Sequence, residues 1–234
     1  MQRRKFTIGL LSGAGLCGVG ASPAQAGSML GSLSDGDAAS GIRAALERGA
    51  ESAVGLLGKS NGFLGNPKVK IPLPGMLKKA AKLLKATGQG DTVDELITAM
   101  NRAAEAAVPQ AKELLQSAIK SMSVEDGRKI LSGGDQSVTD FFSAKTREPL
   151  GVKFLPIVTQ ATEKVSLADK YNAVAGKAAG MGLLDKKDAN VQQYVTGKAL
   201  DGLYFMIGEE EKKIRKDPIG TGSDILKKVF GSLK

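Results

Sequence analysis

The feature that most constrains the fold is one long apolar stripe. Val93, Leu96, Ile97, Met100, Ala104, Ala107, Ala111, Leu114, Leu115, Ala118, Ile119 and Met122 recur at steps of three and four across residues 93–122. At about 100° per residue, these side chains fall on one face of a helix. An element that long and apolar along one side needs other helices to cover it. Asp91 reads as its cap, and Pro109 inside the stripe predicts a kink.

The same period governs most of the chain. Ile42, Leu46, Ala50, Ala53, Val54 and Leu57 form the face of an earlier helix, ended by Gly58. Ser123 opens a short helix with Glu125 and Asp126 in its first turn, stopped at Gly133-Gly134. Ser137–Arg147, Leu150–Val165, Ser166–Gly182, Ala189–Lys216 and Ser223–Phe230 read as further helices. No segment pairs alternating strands with a hairpin turn. The expectation is a single all-α domain over residues 41–234, with about eight or nine packed helices.

One stretch breaks the pattern. Asn66–Pro74 carries Pro67, Pro72 and Pro74, which hold it extended, and Val69 and Ile71 alternate with Lys68 and Lys70. It reads as an arm or edge strand laid over the core. Met76–Lys85 follows as a short basic helix with Met76, Leu77, Ala80, Ala81 and Leu84 inward.

The start of the chain reads as an address. Residues 1–26 combine a basic opening (Arg3, Arg4, Lys5), a short Gly-containing apolar run and Ala24-Gln25-Ala26, the three parts of a cleaved export signal. The apolar run falls short of the ~20 residues that span a bilayer. Arg3-Arg4-Lys5-Phe6 resembles the twin-arginine signal, although Gln2 stands where Ser or Thr is usual, which keeps the general secretory route as the alternative. Cleavage between Ala26 and Gly27 removes Cys17, the one cysteine, and leaves Gly27–Ser40 as a flexible Gly/Ser/Asp leader. Leu16 before Cys17 argues against a lipid anchor there. The expected location is the periplasm, with no disulfide and no integral membrane segment in the mature chain.

Composition narrows the chemistry. The chain has no His, which removes Ser-His-Asp and Cys-His nucleophiles, His-built zinc sites and His-ligated haem. No spacing matches a phosphate loop or a calcium loop, so neither cofactor nor metal is expected. Thirty-three Lys and Arg against 24 Asp and Glu give a net charge of +9 and favour acidic partners.

Three groups of residues stand out. Lys68, Lys70, Lys78, Lys79, Lys82 and Lys85 follow one another with no acid between them. Such a face suits anionic lipid headgroups or another acidic envelope component, or is simply solvated. Nucleic acid fits poorly, because no aromatic residue interleaves for base stacking. Glu210 lies among Leu203, Met206, Ile207 and Ile214 and reads as a carboxylate on the apolar stripe, buried or paired near the helix end. Asn101, Arg102 and Glu105 lie on the polar side of the long helix, with Arg102 and Glu105 spaced for an ion pair that positions neighbouring helices.

Several of these runs resemble a known family. Asn66-Pro67 with Lys70-Ile71-Pro72-Leu73-Pro74, Met100-Asn101-Arg102-Ala103-Ala104-Glu105, Phe154-Leu155-Pro156-Ile157-Val158 and Lys198-Ala199-Leu200-Asp201-Gly202-Leu203, followed by Glu209-Glu210-Glu211, are similar to an exported Gram-negative bacterial family catalogued as a domain of unknown function (domain of unknown function 4197). The resemblance spans roughly Gly41 to Gly231 and implies an all-helical envelope protein. It brings no activity, ligand or catalytic residue with it.

The function expected on these grounds is a periplasmic binding or structural protein of the cell envelope, contacting anionic or apolar components. The alternative is a carboxylate-dependent hydrolase of envelope glycans, with Glu210, Glu105 or Glu51 as the acid. The residues carry no signal for an oligomeric state.

Overall fold

The computed structural model describes residues 35–88, 90–134, 137–163, 165, 168–173, 180 and 190–217. Arg3, Arg4, Cys17, Ala26 and Gly27, and the helix expected over Ser223–Phe230, lie outside the described residues.

Among the described residues seven α-helices follow in order: α1 (Asp35–Leu57), α2 (Gly75–Ala86), α3 (Gly90–Ala107), α4 (Ala111–Lys120), α5 (Val124–Ser132), α6 (Ser137–Thr162) and α7 (Val191–Lys216). Residues 168–173 are helical as well, and no strand occurs among the described residues. The fold is all-α, as the periodicity requires.

The long stripe forms α3 and α4, joined by one 3-10 turn over Val108–Gln110. Pro109 has no N–H to continue the α-helical ladder, and the turn keeps Ala107, Val108 and Ala111 fully buried on one line. Asp91 lies within the first turn of α3 rather than capping it.

α1 begins at Asp35, so helix takes up the last residues of the expected leader. α5 starts with a reciprocal cap. Ser123 Oγ accepts from Asp126 N–H at 3.0 Å, and Asp126 Oδ2 accepts from Ser123 N–H at 3.0 Å. α7 starts at Asn190, whose Oδ1 accepts from Gln193 N–H at 2.7 Å.

Ser137–Arg147 and Leu150–Val165 read as separate helices, yet α6 runs continuously through both, including Pro149 and Pro156. Two interior prolines cost a helix several kcal/mol in isolation, of order 3 kcal/mol each. Burial offsets that cost. Val138, Phe142, Thr146, Leu150, Phe154, Val158 and Thr162 are all buried, at an unbroken four-residue step.

α7 packs against α6, α1 and α3, and α6 and α3 also pack on each other. α1 covers α4 and α5. α2 rests mainly on α3, through Leu77 and Ala81. The core is continuous from Ile42 to Ile214. A small recess in it, lined by Ile42, Leu46, Ile130 and Ile207 among others, is 20 Å³ and has room for no ligand larger than a water.

Candidate functional site

The non-helical segment between α1 and α2 builds the site. After Leu57 the chain makes successive tight turns. Asn61 takes a left-handed φ of 64°, and Gly62 packs so closely on the end of α1 that a Cβ there would lie 2.3 Å from the Leu57 carbonyl oxygen. Asn66 then closes a further turn: its carbonyl accepts from Val69 N–H and Lys70 N–H, and its Oδ1 accepts from Lys68 N–H at 3.1 Å. The expected extended arm is thus turned over residues 66–70 and extended only over 71–74. Val69, Ile71 and Leu73 are buried while Lys68, Lys70 and Pro72 are exposed, so the expected alternation of inner and outer side chains holds without a strand.

Three residues of α3 hold this segment. Asn101 is fully buried, not on a polar face. Its Oδ1 accepts from Ile71 N–H at 2.8 Å, and its Nδ2 donates to the carbonyls of Ile71 at 3.0 Å and Ile97 at 2.8 Å. Glu105 is 4% exposed, and its Oε1 accepts from Phe63 N–H and Leu64 N–H, both at 3.0 Å. Arg102 is partly exposed. Its Nη1 donates to Glu105 Oε2 at 2.6 Å and Ser60 Oγ at 3.0 Å, and its Nη2 to Asn61 Oδ1 at 2.9 Å. The expected Arg102–Glu105 pair is present, but it positions a loop rather than a neighbouring helix.

Burial acts to raise the Glu105 pKa, and the Leu64 N–H, the Arg102 guanidinium and the Phe63 N–H together outweigh it. The carboxyl is held below its ordinary 4.5. A depressed folded-state pKa stabilises the fold above the unfolded value, and the contribution is lost as pH falls through the folded one. The unfolding free energy is therefore expected to fall as pH drops below 4.5. Chemical denaturation of Glu105→Gln between pH 7 and 3 should show a smaller acid loss than the parent. A low pKa and a full set of hydrogen bonds are also the reverse of what a general acid needs.

The other carboxylates offered for hydrolysis each lie beside a lysine. Glu51 is exposed beside Lys112 at 3.6 Å. Glu210 is not the buried acid of α7: it is half-buried and accepts from Lys213 Nζ at 2.6 Å. The buried one is Glu211, four residues after Ile207 and three before Ile214. Arg215 Nε donates to it at 2.8 Å, and Arg215 Nη2 donates to the Ile130 carbonyl at 2.8 Å, which ties α7 to α5. Spacing from Ile207 and Ile214 fits both carboxylates, at three and four residues for Glu210 and four and three for Glu211, and packing against α5 selects Glu211.

The six lysines separate into groups. Lys68 Nζ pairs with Glu209 Oε2 of α7 at 2.6 Å, and Lys85 Nζ with Asp94 Oδ1 of α3 at 2.8 Å. The side chain of Lys79 lies outside the described residues. Lys70 and Lys78 line one groove with Pro67, Ile71, Pro72, Leu73 and Ile97, and Lys82 is exposed one turn further along α2. No acid pairs with Lys70, Lys78 or Lys82 among the described residues. The groove, 440 Å³, is shallow and open to solvent. A second groove, between α6 and α7, is lined by charges that satisfy one another: Arg147 with Asp201 at 2.7 Å, and Glu209 with Lys68 and Lys212.

No group of three or more Cys, Asp or Glu capable of holding a metal occurs among the described residues, and no helix there is long and apolar enough to cross a membrane.

Fold and site together define an all-α domain that carries a lysine-flanked, apolar-floored groove on one edge. The chain belongs to the family described as "Protein of unknown function (DUF4197)", whose model matches residues 32–231. Comparison with curated proteins and with solved structures found no match.

Proposed function

We propose that this chain is an exported helical binding module of the cell envelope, located in the periplasm, and that its basic groove contacts anionic envelope components. One observation carries the reading: Lys70, Lys78 and Lys82 are exposed and lack an acidic partner among the described residues, although acids from α3 and α7 neutralise Lys68 and Lys85 nearby. Uncompensated like charges on one edge repel one another and are relieved by an anionic partner. The export part rests on residues 1–26, with their basic start and Ala24-Gln25-Ala26.

Sedimentation with vesicles tests the binding reading. The purified protein should pellet with vesicles rich in an anionic phospholipid at low salt, and stay in solution with neutral ones. Each lysine near an anionic surface contributes about 1 kcal/mol, so changing Lys70, Lys78 and Lys82 together to Gln should weaken partitioning by roughly 100-fold. Equal partitioning of the triple variant would remove the basic edge from the function.

Fractionation tests the route. Arg3→Lys with Arg4→Lys should leave the chain uncleaved in the cytoplasm if twin-arginine export carries it. Normal appearance of that variant in the periplasm would assign the general secretory route instead.

A further inference from the structure

We propose that the groove holds a single-chain amphiphile with a phosphate monoester head, taken up as a monomer rather than as part of a bilayer. The inference deepens the binding reading above and rests on it.

The groove has two chemically distinct parts. Its floor is Ile71, Pro72, Leu73 and Ile97, and Pro67 adds a further apolar wall. This surface is preformed: Asn101 holds both backbone groups of Ile71, and the Tyr194 hydroxyl donates to the Pro72 carbonyl at 3.1 Å. A rigid apolar surface loses little entropy when a hydrocarbon chain settles on it. Its polar part is Lys70 on one side and Lys78 on the other. Lys78 lies in the first turn of α2, which contains no acid, so the positive end of the helix adds to the field at the same place.

Charge complementarity selects the head. Two ammonium groups without acidic partners match a phosphate monoester, which carries about −1.5 to −2 near neutral pH. The surroundings select a monomer. Docking onto a bilayer favours large apolar side chains that protrude to insert, and the exposed large apolar residues of the described chain are Val124, Val152, Leu155 and Phe205, all on α5, α6 or α7. None of these four lines the groove, whose apolar lining is Pro67, Ile71, Pro72, Leu73 and Ile97.

Titration calorimetry with decyl phosphate below its micelle concentration tests the proposal. Saturable one-to-one binding is expected. Lys70→Ala and Lys78→Ala should each weaken it by about tenfold, as loss of a charge-assisted contact does. Lys82→Ala, outside the groove, should leave it unchanged, and the double variant Lys70→Arg with Lys78→Arg should retain it and show that the fold is intact. Inorganic phosphate and decyl maltoside should each bind far more weakly, since each supplies half of the match. Equal affinity for decyl maltoside, equal loss with Lys82→Ala, or no binding of decyl phosphate would overturn the proposal. If vesicles still bind through the three lysines in that event, the basic edge is a membrane-contacting surface and the broader reading stands. Loss of both overturns both.

Discussion

Replacing Asn101 by Leu is expected to destabilise the protein by about 3–5 kcal/mol, because two buried backbone groups lose their partners at about 1–3 kcal/mol each. Ile71 N–H and the Ile71 carbonyl both end on this one amide, and both are out of reach of water. A carboxamide offers one acceptor and two donors, and Asn101 uses all three. Asn101→Asp should therefore also be severe despite its shape, since it replaces a donor by an acceptor facing two carbonyl oxygens. Denaturant unfolding would measure the loss. Protease cleavage within residues 66–74, at concentrations that leave the parent intact, would show that this segment is what comes loose. A cost below about 1 kcal/mol for Asn101→Leu, the level of a single ordinary hydrogen bond, would contradict this account.

Phe63 should show an effect of similar size and a coupling that changes sign. Its ring is fully buried, and a Cβ on Gly202 of α7 would lie 2.7 Å from Phe63 Cε1. Phe63→Ala is expected to cost about 3–5 kcal/mol through lost burial and the cavity left behind. In the parent, Gly202→Ala should cost about 1–3 kcal/mol, because the ring has no room to yield. Once the ring is gone, the same change removes a helix-interior glycine without a clash and should gain up to about 1 kcal/mol. A double-mutant cycle would measure the difference. Additive effects would show that the ring and α7 do not meet as described.

These two contacts explain why a Pro-rich segment can serve as a rigid wall. Asn101 and Glu105 of α3 hold it by hydrogen bonds on one side, and Phe63 keys it against Gly202 on the other. Lys70 is exposed on the outer surface of a segment fixed at several points, and Lys78 follows it in the first turn of α2.

The residue pattern carried the helices well wherever the apolar period was unbroken. α3 and α4, α5 with its reciprocal cap, and α7 from Asn190 onward all follow from local spacing and capping chemistry. The expected division between Arg147 and Leu150 fails because burial offsets the cost of the prolines inside α6. Four-residue burial from Val138 to Thr162 was visible in the residues, but only packing on α3 and α7 made it outweigh two prolines. Glu210 and Glu211 differ by one position, about 100° of helical turn, and that rotation decides which carboxylate enters the core.

By itself, the amino-acid order determined an all-helical domain, its one non-helical segment, and a run of lysines free of acids between residues 66 and 90. Those properties are local, set by periodicity, proline geometry and composition within a few turns. Only the tertiary structure decided which lysines remain without an acid and which polar groups are interior. Glu209 reaches Lys68 across 141 positions of sequence, and Asn101 reaches Ile71 across 30. Partners that distant leave no spacing to read, because the chain between them folds back through at least one whole helix before the two side chains meet.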